Sequence, residues 1–154
     1  MNHTINVKFK FLRETEKQGN TLEYATEHSA GLDLRAFMES SEVNLEPGQR
    51  FPFPTGVCME ISTPGIAGFV YSRSGLGTRH GLVVSQGVGV IDPDYRGEII
   101  VSLLNNSPVP GTVKRGERIA QLLFLPFFQA RIIQTDELSA TRRGSGGFGH
   151  TGTL

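Results

Sequence analysis

Apolar residues in this chain fall in short runs, and glycine or proline closes nearly every run. Ile5, Val7, Phe9 and Phe11 alternate with polar residues, the period of two that marks a half-buried strand. Residues 41–46 form another short run, ended by the turn pair Pro47-Gly48. Residues 57–61 stop at Thr63-Pro64-Gly65, and an apolar run over 66–71 follows. Residues 82–91 are rich in β-branched side chains but carry Gly87 and Gly89 near their middle. That pattern predicts a hairpin, with the backbone of 86–89 exposed at its bend. Strands are also expected over 99–104, before the turn Asn105-Asn106, and over 130–135. The run 118–125 has strand length and is stopped by Pro126. Residues 72–81 are the best candidate for a short helix.

Composition supports the pattern. Nineteen glycines and eight prolines among 154 residues leave little room for ordinary helices. The expected fold class is all-β, a sandwich or barrel of many short strands in one domain, with one core. The last segment differs in character. Residues 139–154 are mainly glycine, serine and threonine, with Arg142, Arg143 and a single aromatic, Phe148. Such a segment cannot pack a core, so a domain over 1–138 with a flexible arm over 139–154 is expected.

Charge narrows the function. Fifteen basic side chains balance fifteen acidic ones, which argues against a general nucleic-acid or anionic-membrane binder, since those gain affinity from a broad basic surface. Any anion bound here must meet a local cluster of charge. The single cysteine, Cys58, allows no internal disulfide and reads as a small buried hydrophobe. The four histidines lack metal-ligand spacing, and no serine–histidine nucleophile signature is present. No apolar stretch resembles a secretory signal or a membrane span. A soluble intracellular protein, of cytoplasm or nucleus, is the expectation.

Three segments carry candidate chemistry. Ser72-Arg73-Ser74-Gly75-Leu76-Gly77 places a guanidinium, a hydroxyl and two glycines together, as a phosphate-binding loop requires. It matches neither the Walker nor the dinucleotide pattern, and ordinary turns share its composition. Ile91-Asp92-Pro93-Asp94-Tyr95-Arg96-Gly97-Glu98 sets two carboxylates and a tyrosine at the end of an apolar arm. Asp92 there is either a general base held at a buried edge or part of a solvated polar turn. Gln121 stands among apolar neighbours, where an unpaired amide is costly, so it needs a backbone or ligand partner.

With two further stretches these segments, in chain order, resemble the five motifs of the trimeric dUTPase family. The first is Ala30-Gly31-Leu32-Asp33-Leu34, and the second Arg73-Ser74-Gly75-Leu76. The third is Gly89-Val90-Ile91-Asp92-Pro93-Asp94-Tyr95-Arg96-Gly97, and the fourth Gly116-Glu117-Arg118-Ile119-Ala120-Gln121. The fifth is Arg143-Gly144-Ser145-Gly146-Gly147-Phe148-Gly149. The resemblance implies a jelly-roll-like β fold, a homotrimer with sites shared between subunits, and hydrolysis of dUTP to dUMP and pyrophosphate. That activity limits uracil in DNA and supplies dUMP for dTTP synthesis.

It further implies Asp92 as the base that readies water for the α-phosphorus, and Tyr95 as the group excluding a 2′-hydroxyl. The backbone around Gln86, Gly87 and Gly89 would read uracil. Arg73, Ser74, Gly75 and Gln121 would hold the phosphates. Asp33 would support the site through Arg73 and, through water, near a Mg²⁺ ion. The phosphates rather than a protein cage would hold that ion. Phe148 would stack on uracil and Arg143 would reach the γ-phosphate as the arm closes. Departures from the commonest pattern occur at Ser72, Gly77 and His28, and bear on local loop rigidity. Two rivals remain: an enzyme like dCTP deaminase, using a glutamate such as Glu98 to activate water, and a dUTP-binding interaction protein with little chemistry.

Overall fold

A computed structural model of the chain describes residues 4–12 and 21–147. The described elements are β1 (Val7–Phe11), β2 (Leu32–Arg35), β3 (Glu42–Leu45), β4 (Arg50–Ile61), β5 (Ile66–Ser72), α1 (Ser74–His80), β6 (Leu82–Val84), β7 (Gly89–Ile91), β8 (Glu98–Asn105), β9 (Gly111–Lys114) and β10 (Arg118–Pro126). One four-stranded sheet runs β1-β4-β8-β6 and a second runs β2-β10-β5-β7, with β3-β9 as a separate pair. Every ladder is antiparallel. Among the described residues the fold is all-β with a single short helix, as the periodicity and composition predict.

The period of two is plainest in β8. Ile99, Val101 and Leu103 are buried while Ile100 between them is exposed. Buried residues of both sheets, among them Phe53, Met59, Val101 and Leu103 facing Leu34, Val70 and Leu122, form one core cluster. The two layers approach so closely at Gly68 that a Cβ there would lie 2.6 Å from Met59 Cε. Glycine in β5 is therefore a packing choice rather than a turn signal.

Four features differ from the sequence-based expectation. Residues 82–91 do not form a hairpin, because β6 pairs with β8 while β7 pairs with β5. The bend at 85–88 carries the chain from one sheet to the other. Residues 130–135 form no strand: Ile132 and Ile133 are 87% and 77% exposed, and no neighbouring strand is present to complete a ladder among the described residues. The first half of β4, Arg50-Phe51-Pro52-Phe53-Pro54, hides behind its prolines. It pairs with β8 on one side while β1 meets only residues 57–61, and an unpaired edge tolerates proline. The short strands β2 and β9 also went unpredicted; each depends on a distant partner. Helix α1 forms as expected and ends at Gly81, whose φ of 67° suits glycine. No described helix is long and apolar enough to cross a membrane.

Candidate active site

Strand β7 delivers one group of candidate residues. It leaves the sheet at Ile91 and enters the loop of Asp92 to Gly97, beside a pocket of about 240 Å³ bounded in part by Gln86, Gly89, Asp92, Tyr95 and Glu98. The bend before β7 closes with the Gly87 N–H donating to the Val84 carbonyl at 3.0 Å, and Gly87 takes φ 81°. Gly89 is buried, and a Cβ there would sit 3.2 Å from Val70 Cβ, so the backbone lies tight against β5.

The loop itself is held by local bonds. The Tyr95 N–H donates to the Asp92 carbonyl at 3.1 Å, and Arg96 Nη1 donates to the carbonyls of Pro93 and Tyr95 at 2.6 and 3.0 Å. The Tyr95 hydroxyl donates to the Glu98 carbonyl at 3.0 Å. Asp92 does not lie on a buried edge in the single chain; it is exposed. Glu98 borders the pocket, but its Oε1 accepts the Gly56 N–H at 2.7 Å, where the β4–β8 register shifts between Pro54 and Cys58. Its carboxylate ties down a bulge.

A second group gathers around Asp33 on β2. The Asp33 side chain is only 12% exposed, with Arg73 Nε 2.9 Å from one oxygen and Arg118 Nη1 3.1 Å from the other. Arg73 Nη1 also donates to the Arg118 carbonyl at 3.0 Å. Two charge-assisted contacts compensate the desolvation that a buried carboxylate would otherwise suffer. Strand β10 shifts register against β2 between Arg118 and Ala120, which sets Gln121 opposite Asp33. Residues three apart on a regular strand face opposite ways; the irregularity lets Arg118 and Gln121 both serve this corner.

Gln121 finds the partner its surroundings demand. Its Nε2 donates to the Ser72 carbonyl at 3.1 Å. Gly31 leaves the space, since a Cβ there would come within 3.0 Å of Gln121 Oε1. Ser72 Oγ in turn accepts the Val84 N–H at 2.8 Å, joining the start of the arginine segment to the start of the bend. Ser74 and Gly75 open α1, both exposed. Their N–H groups belong to the first helical turn, which has no intrahelical acceptors.

Asp92 and Arg73 lie beyond opposite ends of β5, with Gly89 opposite Val70 between them. Ile91 pairs with Gly68, and Arg73 lies five residues further along than Gly68, roughly 15–20 Å at the rise of a strand. One chain therefore brings Gln86, Gly89, Asp92 and Tyr95 around one pocket and gathers Asp33, Arg73 and Gln121 past the end of β5 away from Asp92, with the bend before Gly89 tied to Ser72 between them. Within the arm, Arg143 is exposed and its Nε donates to the Gly146 carbonyl at 2.8 Å. Phe148 lies outside the described residues.

Comparison with known proteins identifies the arrangement. The dUTPase family model matches residues 17–152. The chain belongs to the dUTPase family. A relative from Desulfitobacterium hafniense (strain DSM 10664 / DCB-2), named deoxyuridine 5'-triphosphate nucleotidohydrolase, is 45% identical over 150 residues, covering 97% of this chain and 98% of that protein. A relative of the same name from Pseudomonas entomophila (strain L48) is 50% identical over 131 residues, covering 85% and 86%. The dUTPase of Staphylococcus bacteriophage 80alpha, solved with dUPNHPP, superposes with a TM-score of 0.81 at 26% identity, covering 97% of this chain and 99% of that one. The Streptococcus mutans dUTPase gives 0.70 at 27% identity, covering 80% and 98%.

Sequence reasoning gave no role to Arg118, Ser72 or Gly31, all of which hold dUTPase-motif residues in place. Arg118 stood inside the fourth motif, beside Glu117 and ahead of an apolar run. Nothing local distinguished it from a solvated charge, because the register shift that turns it toward Asp33 belongs to a ladder with a distant strand.

Proposed function

We propose that the protein acts as a homotrimer, hydrolysing dUTP to dUMP and pyrophosphate at sites that join the Asp92 pocket of one subunit to the Arg73 cluster of another. The separation of Asp92 from Arg73 along β5 carries the reading. Asp92 and Arg73, both required at one triphosphate, are held apart within one chain, and a rotationally symmetric ring brings unlike patches together. Exposed apolar side chains at the pocket, Val90 at 59% and Ile100 at 45%, are suited to cover by a further subunit.

In the proposed site uracil is read by backbone groups around Gln86, Gly87 and Gly89, and Tyr95 packs against the deoxyribose. Asp92 accepts a proton from water as the water oxygen bonds to the α-phosphorus. The bridging bond between the α- and β-phosphates breaks, and pyrophosphate leaves. Arg73, Ser74, Gly75 and Gln121 from a neighbouring subunit bind the phosphates and stabilise the charge that develops there. Asp33 holds Arg73 in place.

Mg²⁺ fits this donor set as a substrate-borne ion. The described residues offer no cluster of three histidine, cysteine or carboxylate groups, and both Asp33 oxygens face guanidiniums. Phosphate oxygens and water would supply the ligands, with Asp33 nearby through water, and the ion would supply further charge neutralisation. The arm, 139–154 beyond a body of 1–138, closes over the nucleotide, Arg143 on the γ-phosphate and Phe148 on the base. Closure excludes water from the site. The deaminase alternative is not favoured: Glu98, its required base, is engaged by the Gly56 N–H. Ammonia released from dCTP without pyrophosphate would reverse that judgement.

Subunit mixing tests the shared site. Asp92→Asn and Arg73→Gln variants, each inactive alone, are unfolded together and refolded. About a quarter of the sites in a random cyclic mixture should combine an intact Asp92 with an intact Arg73. Pyrophosphate release should then recover accordingly. A mixture as inactive as either parent, with mixed trimers confirmed by native mass spectrometry, would overturn the shared site.

A further inference from the structure

The glycine at position 97 has no backbone reason to be there. Its φ lies outside the left-handed region, so any residue could adopt that conformation. What a side chain there would displace is the far end of the Tyr95 ring. A Cβ on Gly97 would collide with the tyrosine hydroxyl oxygen, lie 2.6 Å from Cζ and lie 3.0 Å from Cε2. The ring thus folds back onto the Gly97 backbone, where ordinary carbon contacts need about 3.5–4 Å.

The far end of the ring is tied as well. Its hydroxyl donates to the Glu98 carbonyl at 3.0 Å. Glu98 is itself anchored, at the start of β8, by its carboxylate on the Gly56 N–H at 2.7 Å. Tyr95 is 45% exposed, so the core does little to position it. Its place is set by a missing Cβ beneath the ring and one carbonyl at its tip.

We infer that Gly97 is a positioning residue for sugar selection: the space above it and the Glu98 carbonyl together seat the Tyr95 ring where it blocks a 2′-hydroxyl. This rests on the reading that Tyr95 faces the deoxyribose. An alanine at 97 pushes the ring by about 1 Å, enough to open or misplace such a steric wall.

The experiment compares kcat/KM for dUTP and UTP in the full-length trimer carrying Gly97→Ala, Tyr95→Phe, Tyr95→Ala, or Gly97→Ala with Tyr95→Ala. Gly97→Ala should lower the dUTP-to-UTP ratio about 10- to 100-fold. Tyr95→Phe, which keeps the ring and loses its tether, should lower it about 3- to 10-fold. In the Tyr95→Ala background, Gly97→Ala should change the ratio no further, since no ring remains to displace. An unchanged ratio in Gly97→Ala or in Tyr95→Phe, with Tyr95→Ala still losing selectivity, would overturn the inference alone. An unchanged ratio in Tyr95→Ala would instead remove the underlying sugar reading. If Gly97→Ala fails to fold, Tyr95→Phe decides.

Discussion

The two ends of β5 solve the problem of placing charge in different ways. At the Arg73 end, Asp33 is nearly buried and clamped by two guanidiniums. The strands around it, β2, β5 and β10, are neighbours in one sheet. At the Asp92 end the carboxylate is exposed, and its loop is held by hydrogen bonds that span one to three residues. The first end is preorganised by the whole fold, and its cost in desolvation is met inside the chain. The second is a local device whose apolar surroundings remain open. The Asp33 end is thereby fixed within the chain, whereas the Asp92 end is left open.

The sharpest way to break this comparison is Asp92→Asn. A general base contributes about 10²–10⁴-fold, so pyrophosphate release should fall by that factor while dUTP binding, followed by calorimetry, stays within a few-fold of normal. Stability should change by under about 0.5 kcal/mol, because the side chain is exposed. Near-normal turnover would take the base role from Asp92.

Removal of the arm after Ala140 comes next. On the proposed closure, a folded protein with kcat/KM lowered by about 100-fold is expected, because the arm would take Arg143, Phe148 and the exclusion of water with it. Full efficiency in the shortened protein would show that the open end needs no such cover.

Asp33→Asn probes the opposite end. It leaves Arg73 and Arg118 facing an amide in a partly buried corner, and should cost about 1–3 kcal/mol in urea unfolding after allowance for the exposed parts of the arginines. A loss no larger than that of Asp92→Asn would erase the contrast.

The smallest effect concerns an ion pair beside the Asp92 loop, whose Arg96 Nε lies 4.0 Å from Glu60 Oε2. Lys8 Nζ lies 2.8 Å from Glu60 Oε1, and this contact holds the Glu60 carboxyl below its ordinary value of 4.5. A depressed carboxyl pKa means the pair stabilises the fold above that ordinary value and loses its contribution as pH falls through the lowered one. Lys8→Met should therefore return Glu60 toward 4.5 in an NMR titration and flatten the acid limb of stability slightly. Because the pair is exposed, neutral-pH stability should barely move.

Much was legible in the sequence, and for an identifiable reason. Alternation in 5–11, breaks at Pro47-Gly48 and Thr63-Pro64-Gly65, and the scarcity of uninterrupted windows are local properties, governed by the two-residue repeat of a strand and by the backbone limits of glycine and proline. They determined an all-β chain, one short helix after Ser72, and most strand positions. The five ordered motifs determined the family. Tertiary structure alone decided the rest, because pairing joins residues far apart in the chain. It sent the two arms of 82–91 to different sheets, denied 130–135 a ladder, and tolerated prolines on a half-paired stretch of β4. It turned Arg118 toward Asp33 through a register shift no local pattern announces. It also set the arginine and the aspartate at opposite ends of one strand, a distance that no reading of spacing along the chain contains.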